Sequence, residues 1–242
     1  MLLSPQAERN WESVCSVLED VLESQSHRQL FALELGSGTG QHIIRFAQKM
    51  PFVIWQPSDI KEDSLESIKA YIAATQAKTV LPPVHLDASD PWEKWAGLSH
   101  NSCDVIISIN LLQYSSFKTA QVGLVAYKST EELEISPQYF IYLSFSQGVF
   151  SGAGQILKQN GLLITYGVYA VNGIITPSCN EKLDEELRKM NPDWGLPDID
   201  VLRQLAYGNG MRMERIVSHV SRLGGDSTSQ QHAFYTCNVS FF

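Results

Sequence analysis

The architecture of this chain follows from one octapeptide, Leu33-Glu34-Leu35-Gly36-Ser37-Gly38-Thr39-Gly40. An apolar run precedes it from Leu30, and an amphipathic segment, Gln41–Ala47, follows at once. The pattern predicts a buried strand, a tight loop and a helix whose free N–H groups lie over the end of the strand. Glycines at alternate positions allow such a loop to turn sharply and allow a ligand to approach its backbone.

The spacing of these glycines indicates the kind of ligand. A dinucleotide-binding loop needs G-x-G-x-x-G to place a pyrophosphate on the helix N-terminus, and here Gln41 stands where the third glycine is required. The spacing therefore counts against a nicotinamide-dependent oxidoreductase. Acidic-x-Gly-x-Gly-x-Gly resembles motif I of class I S-adenosylmethionine (AdoMet) methyltransferases. That resemblance implies a nucleoside ligand with a cationic sulfonium, whose charge suits Glu34. The alternative is a glycine-rich turn that only caps the strand.

Composition limits the other classes of function. The 242 residues, 44% hydrophobic and 18% charged, suffice for one sizeable α/β domain. No apolar run is long enough for a membrane span, and the first residues are too polar for a signal peptide, so we expect a cytoplasmic protein, with the nucleus not excluded. The cysteines form no C-x-x-C pair, so no metal site is predicted. A net charge of −8 argues against nucleic acid and leaves a small molecule or a protein as partner.

Strand-like and helix-like segments alternate along the rest of the chain. We predict helices over Ser4–Ser24, Ser64–Ala74, Glu181–Met190 and Asp198–Tyr207, and later strands over Phe52–Trp55, Val80–Leu86, Cys103–Asn110, Gly161–Gly167, Met211–Val220 and Ala233–Phe242. This order predicts a single domain with a doubly wound, seven-stranded, Rossmann-like methyltransferase sheet whose final strand is antiparallel.

Acidic residues follow the second and third strands. Asp59 lies nineteen residues past Gly40, where nucleoside-binding α/β folds place an acid that accepts both ribose hydroxyls; the alternative is a helix N-cap. We include its neighbour Ile60 in the cofactor site. By the methyltransferase resemblance, Asp87 would accept the adenine amino group and Ala88 would face adenine, with a loop cap as the alternative for Asp87.

Further candidates follow the fourth and fifth strands. Asn110 leaves the carboxyl end of the fourth strand, where ligands of open sheets bind, and would reach the methionine moiety or the acceptor. Tyr166, Tyr169, Asn172 and Asn180 are predicted to line the acceptor pocket, although Tyr166 could simply pack in the core. His42 follows the loop and could touch the cofactor, but a histidine on a helix face is more often structural.

The chain also resembles the methyltransferase-like 26 family, a group of unknown function within the class I methyltransferases. The resemblance covers most of residues 4–220, and its most specific elements are Tyr166-Gly167-x-Tyr169-Ala170-Val171-Asn172-Gly173 and Asn191-Pro192-Asp193-Trp194-Gly195-Leu196. It implies the AdoMet-dependent fold and names no substrate. Where the family commonly has His and then Pro after the fourth strand, this chain has Gln113 and Ser116, and glutamine cannot accept a proton as a general base. The segment Ser221–Phe242 also departs from the family's closing hairpin.

A third departure is an atypical insertion, Val122–Gln147 (26 residues). Without it, Phe117, Ala120, Phe150, Ala153 and Leu157 form one helical stripe. We hypothesise a translated intron or gene-model artefact, the alternative being a genuine surface loop. A spliced transcript lacking these codons would establish the artefact, and uniformly inserted messages would refute it.

The sequence therefore predicts an AdoMet-dependent methyltransferase whose acceptor is a small molecule or a protein. The catalytic candidates are Asn110, Tyr166, Tyr169 and Asn172. Glu34, Gly36, Ser37, Gly38 and Gly40, with the acids described above, are the cofactor candidates. The rival interpretation is a pseudoenzyme that acts through partners, which the change to Gln113 favours. The sequence does not indicate the oligomeric state.

Overall fold

The computed structural model describes residues 1–114, 145–222 and 229–239. Seven strands form one sheet in the order β3-β2-β1-β4-β5-β7-β6. Strands β1 to β5 are parallel, and β7 is antiparallel to both β5 and β6. The strands are β1 (Leu30–Leu35), β2 (Val53–Asp59), β3 (Val84–His85), β4 (Cys103–Ile109), β5 (Leu157–Gly167), β6 (Met211–Arg222) and β7 (Ser229–Val239). The predicted doubly wound sheet with an antiparallel final strand is confirmed.

Helices cover both faces of this sheet. They are α1 (Pro5–Leu22), α2 (Gln41–Lys49), α3 (Glu62–Thr75), α4 (Phe145–Ile156), α5 (Ser178–Met190) and α6 (Ile199–Gly208). On one face, the apolar stripes of α1 and α2 pack against alternate residues of β1, β4 and β5. On the other face, α4 and α6 pack against the intervening residues. Alternation along each strand therefore supplies two apolar faces.

Several element boundaries differ from the sequence prediction, among them those of β2, of β3 and of the junction between α4 and β5. Strand β2 continues to Asp59, because Ser58 still pairs with Leu35 of β1 and Asp59 pairs with His85 of β3. Strand β3 contains only two residues, and Val80 contributes an isolated bridge to Trp55. Helix α4 ends at Ile156, so Leu157 belongs to β5, where it pairs with Cys103, rather than to the helical stripe.

Most of the insertion lies outside the described residues. The stripe residues Phe117 and Ala120 lie outside them too, so the translated-intron hypothesis stays a prediction. Within the described residues, Phe150 and Ala153 lie on α4 and are buried against the sheet, as the stripe requires. No helix in the ranges described combines the length and the hydrophobicity that a membrane crossing demands.

Candidate functional site

The loop between β1 and α2 has the left-handed backbone that its glycines permit. Gly36, Gly38 and Gly40 have φ values of 66°, 54° and 89°. A Cβ on Gly40 would lie 2.9 Å from the Cγ1 and 3.1 Å from the Cα of Ile68, so α3 packs directly on the loop. A Cβ on Gly38 would meet no atom within 4 Å. The space over Gly38 is therefore open, and its backbone is accessible to a ligand.

Hydrogen bonds fasten this loop to the end of β2. The Ser37 amide donates to the Ser58 carbonyl (2.8 Å), the Ser58 amide donates to Ser37 Oγ (3.1 Å), and Ser58 Oγ donates to the Glu34 carbonyl (2.7 Å). These bonds fix the tips of two adjacent parallel strands against each other. The site is therefore largely preformed.

Asp59 points toward the glycine loop. Its Oδ2 accepts the Gly38 amide at 2.9 Å, and its Oδ1 accepts the Lys61 amide at 2.9 Å. The side chain does not cap α3, whose N-cap residue is Lys61 without a side-chain bond. Since each carboxylate oxygen has two lone pairs, Asp59 keeps one on each oxygen for further donors. The predicted convergence of Asp59 on the loop is present, and its ribose contact stays a prediction.

Glu34 is a buried carboxyl group at the end of β1. It is 2% exposed, and its Oε2 has no hydrogen-bond partner. Burial, the largest effect, and the negative charge of Asp59 raise the pKa of Glu34 to about 7, while a hydrogen bond from Ser37 acts in the opposite direction. An unsatisfied buried carboxyl group destabilises a folded protein. A cation bound beside Glu34 would stabilise the ionised carboxylate and so offset the cost of burying it.

Asn110 adds a polar group at the end of β4. Its φ is 51°, and its amide donates to the Tyr166 carbonyl at 2.7 Å, which fixes it beside the end of β5. Its Oδ1 is buried and has no hydrogen-bond partner. The sheet order places β4 next to β1, so Asn110 and Glu34 occupy the same edge of the sheet.

Helix α1 brings a further polar side chain that sequence reasoning did not select. Asn10 is 4% exposed, its Oδ1 lies 2.9 Å from His42 Nε2, and its side chain also hydrogen-bonds to Tyr166. In the sequence, the segment Ala7-Glu8-Arg9-Asn10 at the start of α1 contains several polar groups, but it does not show which of them faces the sheet. Such a residue is recognised only when the helix is seen packed on the sheet.

His42 and Tyr166 lie in the packed interface between α1, α2 and the sheet. Burial, with a smaller effect of Arg45, lowers the pKa of His42 to about 4, so the ring is neutral at physiological pH. The Tyr166 ring is 1% exposed and stacks on His232 at a centroid distance of 5.1 Å. Burial raises the pKa of Tyr166 to about 12, so its phenol stays protonated. These environments suit packing and hydrogen-bond donation rather than proton abstraction.

The two residues predicted to contact adenine, Asp87 and Ala88, follow β3, and Ala88 packs on the face of the sheet that α4 covers. Asp87 Oδ1 accepts the amide and the hydroxyl of Ser89, at 2.8 and 2.6 Å, which is the loop-capping arrangement. Ala88 is 3% exposed within the α4-side core. Ile60, in contrast, is 52% exposed next to Asp59 and leaves an apolar surface at the rim of the loop.

The four residues predicted to line an acceptor pocket do not converge. Tyr166 packs on the α1 face, whereas Tyr169 packs in the core of the opposite face and donates to Thr165 Oγ1 at 3.1 Å. Asn180 is fully buried and donates to the Thr176 carbonyl at 2.7 Å. Asn172 is exposed and lines a half-open cavity of about 470 Å³. Most of that cavity comes from residues that sequence reasoning did not assign to the site: Arg188, Asp193, Trp194, Gly195, Asp198 and Asp200.

A single turn connects the glycine loop to this cavity. Leu111, after β4, lies where a Cβ on Gly36 would be 2.7 Å from its Cδ1. Two residues further on, the Gln113 carbonyl accepts the Gly195 amide at 3.1 Å, and the Tyr114 ring meets Trp194 edge-on at 5.1 Å. The residues that follow β4 thus stand between the two sites and contact both.

Comparison with known proteins places these features in a family. The family model described as protein of unknown function (DUF938) matches residues 1–142 and 125–221. A crystal structure provisionally assigned as a sarcosine dimethylglycine methyltransferase from Galdieria sulphuraria is similar with a TM-score of 0.60 and 18% identity, over 90% of this chain and 68% of that one.

Two other solved structures have the same fold. A provisionally assigned O-methyltransferase from Nostoc punctiforme gives a TM-score of 0.64 at 13% identity, over 96% of this chain and 57% of that one. The CurJ carbon methyltransferase gives a TM-score of 0.60 at 16% identity, over 94% of this chain and 54% of that one. At these identities the similarity establishes a methyltransferase fold and leaves the reaction open.

Proposed function

Because this chain belongs to the DUF938 family of proteins of unknown function and has a methyltransferase fold, we propose that it is an AdoMet-dependent methyltransferase. The acceptor is a small molecule or a protein. As the finer part of this proposal, we assign it to the methyltransferase-like 26 group on its Tyr-Gly-x-Tyr and Asn-Pro-Asp-Trp-Gly segments.

One observation carries the proposal. The buried Oε2 of Glu34 has no hydrogen-bond partner, at a strand end where the glycine loop leaves open space over Gly38. A buried acid without a partner, beside an open backbone, fits a ligand that brings both a positive charge and hydrogen-bond donors. AdoMet has a sulfonium, an ammonium and two ribose hydroxyls, so its chemistry matches these residues.

The roles of the residues follow from their positions. Glu34 would balance the positive charge of the bound cofactor, and Asp59 would accept ribose hydroxyls with its remaining lone pairs. Asn110 would orient the methionine end or the acceptor through Oδ1. When bound, AdoMet would supply an electrophilic methyl group: the acceptor's lone pair would bond to the methyl carbon, the sulfur–carbon electron pair would stay on sulfur, and the acceptor's proton would leave to water. Such a reaction depends mostly on positioning and exclusion of water.

A pseudoenzyme that binds AdoMet without transferring its methyl group is the second candidate. Gln113 favours it: the side chain is 5% exposed and its Oε1 lies beside Gly167 at the end of β5, where a histidine could have accepted a proton. Acceptors that need no general base would still react, because positioning alone supports transfer.

Calorimetric titration tests the proposal. We expect the protein to bind AdoMet and S-adenosylhomocysteine and not NAD, and the same result for a chain lacking Val122–Gln147. Absence of AdoMet binding by both forms would overturn it. Methyl transfer from labelled AdoMet to a panel of amines, thiols, carboxylates and proteins then separates the enzyme from the pseudoenzyme.

A further inference from the structure

We propose that the half-open cavity beside the β4 turn binds the methyl acceptor through a positive charge, and that the acceptor is a small-molecule amine. The cavity binds its ammonium form, and the nitrogen releases a proton to water before its lone pair takes the methyl group. This inference rests on the proposed function and names its substrate class. Four features of the cavity support it: its place, its charge, its rigidity and its aromatic wall.

Contacts made by the turn after β4 connect the cavity to the cofactor site. Strand β4 alone separates β1, which ends in the glycine loop, from β5, which leads into the cavity loop. The ends of β1 and β5 are therefore two strand spacings apart, which amounts to roughly 10 Å. The intervening turn contacts Gly36 through Leu111 and Trp194 through Tyr114. A volume of about 470 Å³ accommodates a small molecule.

The charge of the lining is negative. Three carboxylates, Asp193, Asp198 and Asp200, line the cavity together with one guanidinium, Arg188. Asp184 already holds that guanidinium through bonds of 2.6 Å from Nε and 3.2 Å from Nη2. The positive charge of Arg188 is therefore largely compensated from outside the lining, as is the negative charge of Asp200, which pairs with Arg203. Four carboxylates, the three of the lining and Asp184, and two guanidinium groups, Arg188 and Arg203, leave a net charge of −2 around the cavity. The cavity favours a cation over an anion.

Asp198 is held rigidly at the wall. Its Oδ1 accepts the Asp200 amide at 2.8 Å, and its Oδ2 accepts the Gly173 amide at 2.6 Å. The flanking loops are joined by the Ala170 amide, which donates to the Pro197 carbonyl at 2.9 Å. Each carboxylate oxygen retains a lone pair for an ammonium group. Fixed geometry reduces the entropic cost of binding.

The remaining lining is aromatic and apolar. Trp194 lines the cavity, and Ile175, Leu196 and Val201 supply apolar contacts. A tryptophan face attracts cations within about 6 Å, more strongly than other aromatic rings do. An ammonium with an apolar body matches this combination, whereas a carboxylate would face Asp198 without a free cation.

Three probes of one shape test the charge preference: benzylamine, benzyl alcohol and benzoate. Binding to the full chain is followed by NMR, with S-adenosylhomocysteine present and absent. We expect benzylamine to bind at least tenfold more tightly than benzoate. Asp198→Asn should weaken benzylamine binding about tenfold more than benzyl alcohol binding. Asparagine can keep the bond from the Asp200 amide but loses the bond from the Gly173 amide, so the loss shared by both probes measures this structural change and the excess for benzylamine measures the charge.

Glu185→Gln is the matched control, since Glu185 is exposed on α5 and absent from the cavity lining. It should leave all three affinities unchanged. If Asp198→Asn fails to fold, Asp200→Asn serves as the second variant. The inference would be overturned if benzoate bound as tightly as benzylamine or more tightly. It would also be overturned if Asp198→Asn and Glu185→Gln lost the same benzylamine affinity. The probe measurements need no AdoMet, so a failure of the amine preference is distinguishable from a failure of AdoMet binding.

Discussion

Replacing Glu34 by glutamine should stabilise the protein and at the same time weaken AdoMet binding. A residue that serves only the fold would change both in the same direction. Glu34 differs because its carboxyl group is buried, has an unpartnered oxygen and lies near Asp59. Glutamine keeps the size of the side chain and removes its ability to ionise.

The magnitude follows from the pKa of Glu34, about 7 in the fold against an ordinary 4.5. Between these values the native state holds a proton that the unfolded state has released, so the free energy of unfolding falls as pH rises from about 5 to 7. The difference of 2.5 pKa units corresponds to roughly 3 kcal/mol at pH 8. For a chain of this length, that equals about 6–10 °C in Tm.

Thermal unfolding between pH 5 and 8 measures this effect. We expect Glu34→Gln and the wild type to unfold at similar temperatures at pH 5, and the variant to unfold at a higher temperature at pH 8. In parallel, the wild-type affinity for AdoMet should rise about tenfold from pH 6 to pH 8, because a cation binds the ionised carboxylate. The variant should bind more weakly, without this pH dependence.

Asp104→Asn is the matched control with the opposite sign. Asp104 is 3% exposed, and although burial opposes its ionisation, bonds from Lys158, the Phe31 amide and Arg28 lower its pKa. This variant should lose about 2 kcal/mol at pH 7, a loss that fades as pH falls below the ordinary range of aspartate. If Glu34→Gln is destabilised at pH 8 as Asp104→Asn is, the reasoning about Glu34 is refuted.

Four other substitutions test the glycine loop, the end of β2 and the turn after β4. Gly40→Ala should lower the free energy of unfolding by about 2 kcal/mol, because its Cβ would meet the Ile68 backbone and its φ is 89°. Gly38→Ala should lower the free energy of unfolding by only about 1 kcal/mol and should chiefly weaken AdoMet binding, because no atom lies within 4 Å of the new Cβ. Chemical denaturation measures the stability effect, and calorimetry measures the binding effect. Asp59→Ala should weaken AdoMet binding at least tenfold, as measured by calorimetry. An unchanged affinity would show that Asp59 does not contact the cofactor. Gln113→His should raise methyl transfer to acceptors that must lose a proton while leaving the AdoMet affinity unchanged, and an unaltered pH–rate profile would contradict this.

Local spacing was sufficient to predict the sheet, the glycine loop and the placement of Asp59 near it. The strand-loop-helix pattern around Gly36 fixes the direction of β1, and each later parallel strand must then end at the same edge. Periodicity did not predict the limits of β2 and β3, because strand ends depend on pairing with neighbours rather than on the segment itself.

The acceptor side was harder to predict. Tyr166 and Tyr169 are close in sequence, but the structure buries them on opposite faces of the sheet. The cavity instead joins Asn172 to Arg188, Trp194 and Asp198 from later segments. Their proximity arises from how α5 and α6 fold back on the end of β5, which no short-range pattern encodes.

The sequence by itself determined the doubly wound sheet and the glycine loop after its first strand, since alternate glycines after a buried strand permit only certain backbone paths. The tertiary structure alone decided that Glu34 is buried with an unpartnered oxygen, that Asn10 is buried against His42, and that an acidic, tryptophan-lined cavity lies beside the turn after β4. The physical reason is that burial, pKa and charge depend on neighbours distant in sequence, which only packing brings together.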